Sequence, residues 1–231
     1  MLFLRKLHKW LGLIIGLQIV LWAASGLMFA WLDHDAINAA GSVRAVEPAA
    51  LSSTMLKSEP ATWLDDYQPQ DLYDVRAIQL ADRWVWRVEL RDRVELRSVE
   101  DGARVNVDEA WLRRLALERY AGDGQLIAAI LQTEPDIASR ASGPVWQAQF
   151  EDSQRTALYF AADDGHFIAA RTATWRLYDF FWMLHTMDYV GRDNFNNPLI
   201  VIIGMATLWL SISGMLLLTR SFRWRVTKSA A

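Results

Sequence analysis

Hydrophobic and polar positions divide the chain into three stretches. Leu11 to Trp31 is 21 residues without a charge, with Gln18 and Ser25 as its only clearly polar side chains. Pro198 to Thr219 is a second uncharged run, of 22 residues. A helix needs about 20 apolar residues to cross about 30 Å of hydrocarbon, so each run is long enough to span. In lipid the backbone must satisfy its own hydrogen bonds, which makes both runs helical. Between them the pattern changes from continuous to alternating.

The alternating stretch contains a repeat. Val85-Trp86-Arg87-Val88-Glu89-Leu90 and, 60 residues later, Val145-Trp146-Gln147-Ala148-Gln149-Phe150 have the period of two of a half-buried strand. A second alternating run follows each, at 93–99 and 155–160. Each then reaches an acidic turn, Glu100-Asp101-Gly102 and Asp163-Asp164-Gly165, where Gly supplies positive φ. A third strand follows, at 103–107 and 166–171. Residues 51–57 predict a weak helix before the first set. Residues 108–121 predict a strong one before the second, with Asp108 as N-cap and Ala110, Trp111, Leu115 and Leu117 along one face. Residues 126–131 add a strand. The middle therefore reads as two tandem helix-plus-antiparallel-sheet units of about 60 residues. The sequence leaves open whether their sheets pack together or run on as one.

Trp175 to Val190 is too polar to span and too apolar for a loose loop, so it predicts an amphipathic interfacial helix. A polar turn follows, with Pro198 at a helix start. The organisation expected is a basic N-terminus at 1–10, a first membrane helix at 11–32, sheet units at 33–107 and 108–173, an interfacial helix at 174–190, a second membrane helix at 198–219 and a basic tail at 220–231. The fold class is an α+β membrane protein.

Charge sets the expected orientation. Arg5, Lys6 and Lys9 precede the first run; Arg220, Arg223, Arg225 and Lys228 follow the second; neither flank holds an acid. The middle keeps 17 basic residues against all 27 acids. Basic flanks stay in the cytoplasm. Both termini are then cytoplasmic in the inner membrane, and the middle is extracytoplasmic, in the periplasm of a Gram-negative cell. Trp22, Trp31, Trp209 and Trp224 fall near the interfaces or face the partner helix. A cleaved signal peptide has a shorter apolar core and a small-residue cleavage site. The context after Trp31, Leu32-Asp33-His34-Asp35, does not supply that site.

Several classes are excluded. The chain has no Cys, hence no disulfide, thiol nucleophile, cysteine-held iron–sulfur cluster, zinc finger or covalent c-type haem. A net charge of −3 argues against nucleic acid. There is no H-E-x-x-H and no Ser–His–Asp arrangement. The acidic pairs at 100–101, 163–164 and 65–66 read as turn or surface residues.

Leu7-His8-Lys9-Trp10-Leu11-Gly12-Leu13 with Ser25-Gly26-Leu27 resembles the first membrane helix of the PepSY-associated transmembrane family. Leu184-His185 and the second helix with Ser213-Gly214-Met215 resemble its closing segment, and the doubled unit resembles tandem PepSY domains. Larger members have four or more membrane helices. Some carry b-type haem and reduce ferric siderophores; others are fused to, or work beside, flavin reductase modules. This chain resembles a minimal two-helix form. It has no Gly-rich nucleotide loop, which argues against self-contained reductase activity.

The resemblance implies haem b as cofactor and makes three histidines candidate ligands. His8 matches the family's Leu-His-x-Trp-Leu-Gly. His185 lies in the amphipathic segment, with Trp182 and Tyr189 at i−3 and i+4 and Asp188 at i+3 to fix its ring. His34 leaves the first helix between Asp33 and Asp35 and would be a second ligand beside His185; the alternative is a solvated imidazole. His166 reads as a surface residue. His8 and His34 are separated by about 39 Å of helix at 1.5 Å per residue, so His8 and His185 cannot share one haem within a chain. A ligand from a second copy would complete the His8 site. A homodimer forming a four-helix bundle, or another membrane reductase subunit, is the partner expected. Gly12 and Gly16 permit close helix approach.

Two functions follow. One is a b-haem electron-transfer subunit supporting reduction of ferric iron or a flavin partner at the outer face. The other is a non-catalytic membrane-anchored PepSY module that binds or regulates another envelope protein, such as a peptidase.

Overall fold

The computed structural model describes residues 2–47 and 49–229, with side chains for 6–47, 49–52 and 54–219. The side chains of Arg5, Arg220, Arg223, Arg225, Lys228 and Trp224 lie outside the described residues. The chain forms two compact units. One contains the chain up to Asp33 together with everything from Leu177 onward; the other is His34–Arg176.

The first unit is built on α1 (Leu2–Trp31) and α5 (Pro198–Ser229). Apolar spans at Lys6–Trp31 and Pro198–Thr219 are long enough to cross a bilayer. The helices are antiparallel, because His8 meets Ser213 and Gly12 faces Leu210. Leu13, Leu17, Val20 and Leu27 of α1, and Met205, Leu208 and Met215 of α5, are more than half exposed. An apolar surface of this extent needs a non-aqueous neighbour, and lipid supplies it. Asn197 caps α5 by accepting from the Ile200 N–H at 3.1 Å, with Pro198 in the first turn where no N–H is required. The amphipathic segment forms α4 (Ala173–Thr186). It ends four residues short of Val190.

Between the spans, His34–Ile37 makes one turn, α2. Two four-stranded antiparallel meanders follow. The first is β1 (Leu72–Leu80), β2 (Arg83–Leu90), β3 (Val94–Ser98) and β4 (Arg104–Val105). The second is β5 (Gln125–Gln132), β6 (Val145–Glu151), β7 (Ala157–Ala161) and β8 (Phe167–Arg171). Each sheet keeps its strands in chain order, so β1 and β4, and β5 and β8, are edges. The repeat reaches fine detail. β1 slips register after Leu72 and β5 after Leu126, each just inside the first strand. Gly102 and Gly165 hold φ of +76° and +67° in the equivalent turns. A Cβ at Gly102 would strike Trp63, so that turn requires glycine.

The sheets are separate and share one core. α3 (Glu109–Arg119) starts where Asp108 accepts from the Trp111 N–H at 2.7 Å. Its Trp111, Leu112, Leu115 and Ala116 pack with Leu80, Val85 and Leu96 of the first sheet and with Trp146, Phe150, Leu158 and Phe160 of the second. One helix thus serves both repeats.

The weak helix expected at 51–57 is replaced by a 3₁₀ turn at Ser53–Met55. Hydroxyls here bond each other, Ser52 to Thr54 at 2.8 Å, and such local bonds compete with a helix. Further 3₁₀ turns, Pro60–Thr62 and Leu64–Asp66, carry Trp63 and Tyr67 onto Val88 and Leu90 as a small second core. Arg97 is clamped there, 4.9 Å from the Trp63 ring and paired to Asp66 at 2.7 Å.

Leu112 has no exposed surface, whereas Leu117 on the same helix is 54% exposed. Leu112→Ala should cost about 2–5 kcal/mol, and Leu117→Ala should stay within about 0.5 kcal/mol. Denaturant unfolding of the full chain in mild detergent, followed by tryptophan fluorescence, separates the two outcomes.

Candidate functional site

Inside the membrane unit the imidazoles of His8 and His185 are held alike. His185 Nδ1 lies 2.8 Å from Ser25 Oγ. Ser25 has no exposed surface, and its hydroxyl donates back to its own helix, with Leu21 O at 2.8 Å and Trp22 O at 3.0 Å. A hydroxyl has one proton to give. When that proton goes to a carbonyl, the oxygen accepts from His185 Nδ1–H, and that tautomer leaves Nε2 with a lone pair.

The other end of the helix pair repeats the arrangement. His8 Nδ1 lies 2.8 Å from Ser213 Oγ, and the Ser213 hydroxyl donates to Leu210 O at 3.0 Å. The same count leaves His8 Nε2 as an acceptor. Gly214 makes room: a Cβ there would sit 3.2 Å from the His8 ring. The partners come from a second, hidden repeat. Ile14-Ile15-Gly16 and Ser25-Gly26 in α1 correspond to Ile202-Ile203-Gly204 and Ser213-Gly214 in α5, with Gly and Ser nine apart in both. Because the helices are antiparallel, the histidine before each copy grips the serine of the other. His8 and Ser25 are 17 residues apart on α1, about 25 Å at 1.5 Å per residue, so there are two separate imidazole positions.

The surroundings of His185 differ from the expectation in two respects. α4 ends at Thr186, so Tyr189 is not on the helical face. The rings beside His185 are Phe29, edge-on at 5.3 Å, and Trp22 at 6.3 Å, whose indole N–H also donates to the His185 carbonyl. Trp182 instead stacks with Tyr178 at 6.1 Å and meets Phe195 at 6.2 Å. Nor does Asp188 fix the ring. Met187 takes a positive φ of 54° and turns the chain. The Asp188 carboxylate then accepts backbone N–H groups of Val190, Gly191, Asp193 and Asn194. Those bonds, the Asn194 N–H first among them, hold its carboxyl below the usual range. The loop is pinned again by Arg192 on buried Asp179 at 2.6 Å and by the Asn197 amide on Thr186 O.

His34 belongs to the other compact unit. It sits on α2, with its Nε2 2.9 Å from the Asn38 amide nitrogen, so the nitrogen free on His8 and His185 is engaged here.

His166 has a definite structural place that its sequence context did not reveal. It lies with Asp163 and Asp164 in the turn before β8, their ligand atoms within 4.8 Å of one another. A cation already serves this cluster. Arg87 of β2 donates to Asp164 Oδ2 at 2.9 Å, while His166 Nδ1 meets Oδ1 at 2.6 Å. The cluster therefore ties one repeat to the other. Burial alone would raise the Asp164 carboxyl, but His166 and Arg87 outweigh it and hold the group far below the usual carboxylate range. The hydrogen bond to Asp164 raises His166 above an ordinary histidine, against the opposing effect of burial.

The signs of these shifts define a pH window. A depressed carboxylate stabilises the fold above its unfolded pKa, and that contribution is lost as pH falls through the folded value. A raised histidine stabilises it fully below its unfolded pKa, and that contribution is lost as pH rises through the folded value. Both act together between about pH 4 and 6.5. In a titration of the His166 ring resonance, the midpoint should lie above 6.5 and fall toward it in Asp164→Asn.

No curated protein and no solved structure matches the chain. The model of the PepSY-associated TM region matches residues 1–220. That match takes in both spans and the doubled sheet domain: this is a membrane protein, and it belongs to the PepSY-associated TM family.

Proposed function

We propose that the protein is a b-haem-linked electron-transfer subunit of the cytoplasmic membrane, with its sheet domain on the outer, periplasmic side, supporting reduction of ferric iron or a flavin partner there. One observation carries this reading. In both positions a buried serine is placed to accept a hydrogen bond from Nδ1–H and to leave Nε2 with its lone pair, among aromatic rings at His185. A ligand histidine needs that form, its second nitrogen donating to a fixed acceptor. A purely structural histidine does not need it twice. The donor set therefore fits a haem iron: His185 Nε2 would hold one group and His8 Nε2 another. When bound, haem b supplies one-electron redox chemistry whose potential depends on ligand, burial and hydrogen bonding.

The chain's own residues do the remaining work. Ser25 and Ser213 orient the rings, and Phe29 and Trp22 keep water from His185. Each position offers one imidazole, so a second ligand is needed. Asn38 holds His34 Nε2, so a second copy of the chain is the source at both positions. Two helices with exposed flanks pair well into a four-helix bundle.

The test is a reduced-minus-oxidised spectrum with a pyridine haemochrome assay, on protein purified in mild detergent from haem-replete cells. A b-type band is expected, lost in His185→Ala, lowered in His8→Ala and intact in His34→Ala and His166→Ala. Ser25→Ala should weaken haem retention by about 10–100-fold. A folded, membrane-inserted but colourless protein would overturn the reading. It would leave the non-catalytic module that binds another envelope protein.

A further inference from the structure

The sheet domain contains a cavity of about 410 Å³ that neither repeat forms alone. Its size falls in the range of about 300–1,000 Å³ usual for small-molecule sites. Ile78 and Leu80 of β1, Trp84 of β2, Leu115 of α3, and Phe160 and Phe167 of the second repeat supply apolar walls.

Arg119, the last residue of α3, lines the same cavity. Its guanidinium lies over the Phe167 ring at 4.7 Å. Its Nε is buried and has no hydrogen-bond partner among the described residues. The contrast with other arginines of this domain is sharp: Arg87 is paired with Asp164 and Glu89, and Arg97 with Asp66. Nε is closed to the cavity as it is to water, so a ligand meets the terminal amino groups of this half-buried side chain, and a planar carboxylate matches their geometry. Glu118 also lines the cavity, and His166 is already engaged by Asp164. Arg119 and Glu118 together leave the lining neutral, so a ligand carboxylate is held by the guanidinium geometry and not by net charge, and a second negative charge is disfavoured.

We infer that this cavity is a binding site for a small apolar monocarboxylate, its carboxylate on the Arg119 guanidinium and its hydrocarbon against Ile78, Leu80, Trp84, Leu115 and Phe160. The site is independent of the histidines in the membrane unit. It gives the sheet domain a ligand of its own, sensed at the seam between its repeats.

The probe is octanoate, with octanamide as its neutral isostere. Both are titrated against the full chain in lipid nanodiscs by ligand-observed NMR, with empty nanodiscs subtracting partition into lipid. Octanoate should bind saturably at one site per chain, and octanamide at least tenfold more weakly. Arg119→Gln should lower octanoate affinity at least tenfold and erase the preference over octanamide, with Arg119→Lys retaining part of it. Melting curves establish that each variant is folded. No saturable octanoate binding to the wild-type chain, or octanamide bound as well as octanoate, overturns the inference, and both readings use the unaltered protein.

Discussion

A polar side chain inside a bilayer must find its partner within the protein, and that constraint shapes the membrane unit. Two imidazoles and two serines meet it by pairing across antiparallel helices. Serine alone would bond its own helix, as Ser25 does toward Leu21 and Trp22. Histidine alone would carry an unsatisfied N–H into an apolar region. Joined, each serine donates a hydrogen bond to a backbone carbonyl and can accept one from the ring. The cost of burial is met, and one nitrogen per ring stays available. The pairs also fix the helix register, since His8 reaches Ser213 in one vertical alignment only.

The sheet domain solves a different problem by duplication. The face that each four-stranded meander turns to the common core cannot be buried by that meander alone. α3 provides the missing cover for both, with Trp111 bonded to Leu80 O of the first sheet and Ala116 and Leu115 in the common core. The first repeat has no comparable helix, and its 3₁₀ turns bring Trp63 and Tyr67 over Arg97 instead. Arg87 to Asp164 then locks repeat to repeat. The copies have diverged in how they are covered and kept their strand order, bulges and glycine turns.

Much of this was legible in the sequence. Charge-free length announced both spans, Asp108 marked a helix start, alternation located four of the eight strands, and the Asp-Gly turns placed two more. A seventh, β5, was weaker but readable. β1 was missed because a bulge after Leu72 shifts its alternation, and because Asp74 and Arg76 interrupt an edge strand that tolerates charge. His8 and His185 stood out through family resemblance. Their partners did not: Ser25 is 160 residues from His185, and no local pattern spans that distance. The Gly–Ser spacing shared by the two spans was the signal available. The pairings imagined for Asp188 and Tyr189 failed because the helix stops at Thr186 and Met187 reverses the chain.

The shared helix has a consequence for the order in which the chain is made. β1 to β4 leave the ribosome before α3, and their apolar face has no cover of its own. The far wall of that core, ending near Phe160, is still 55 residues away when Val105 is added. At about 5–20 residues per second, this is a wait of about 3–11 seconds. Throughout it, a finished sheet edge and an open apolar face coexist on one nascent chain. The architecture that makes the mature domain a single core thus makes its first half dependent on being held apart until the second arrives.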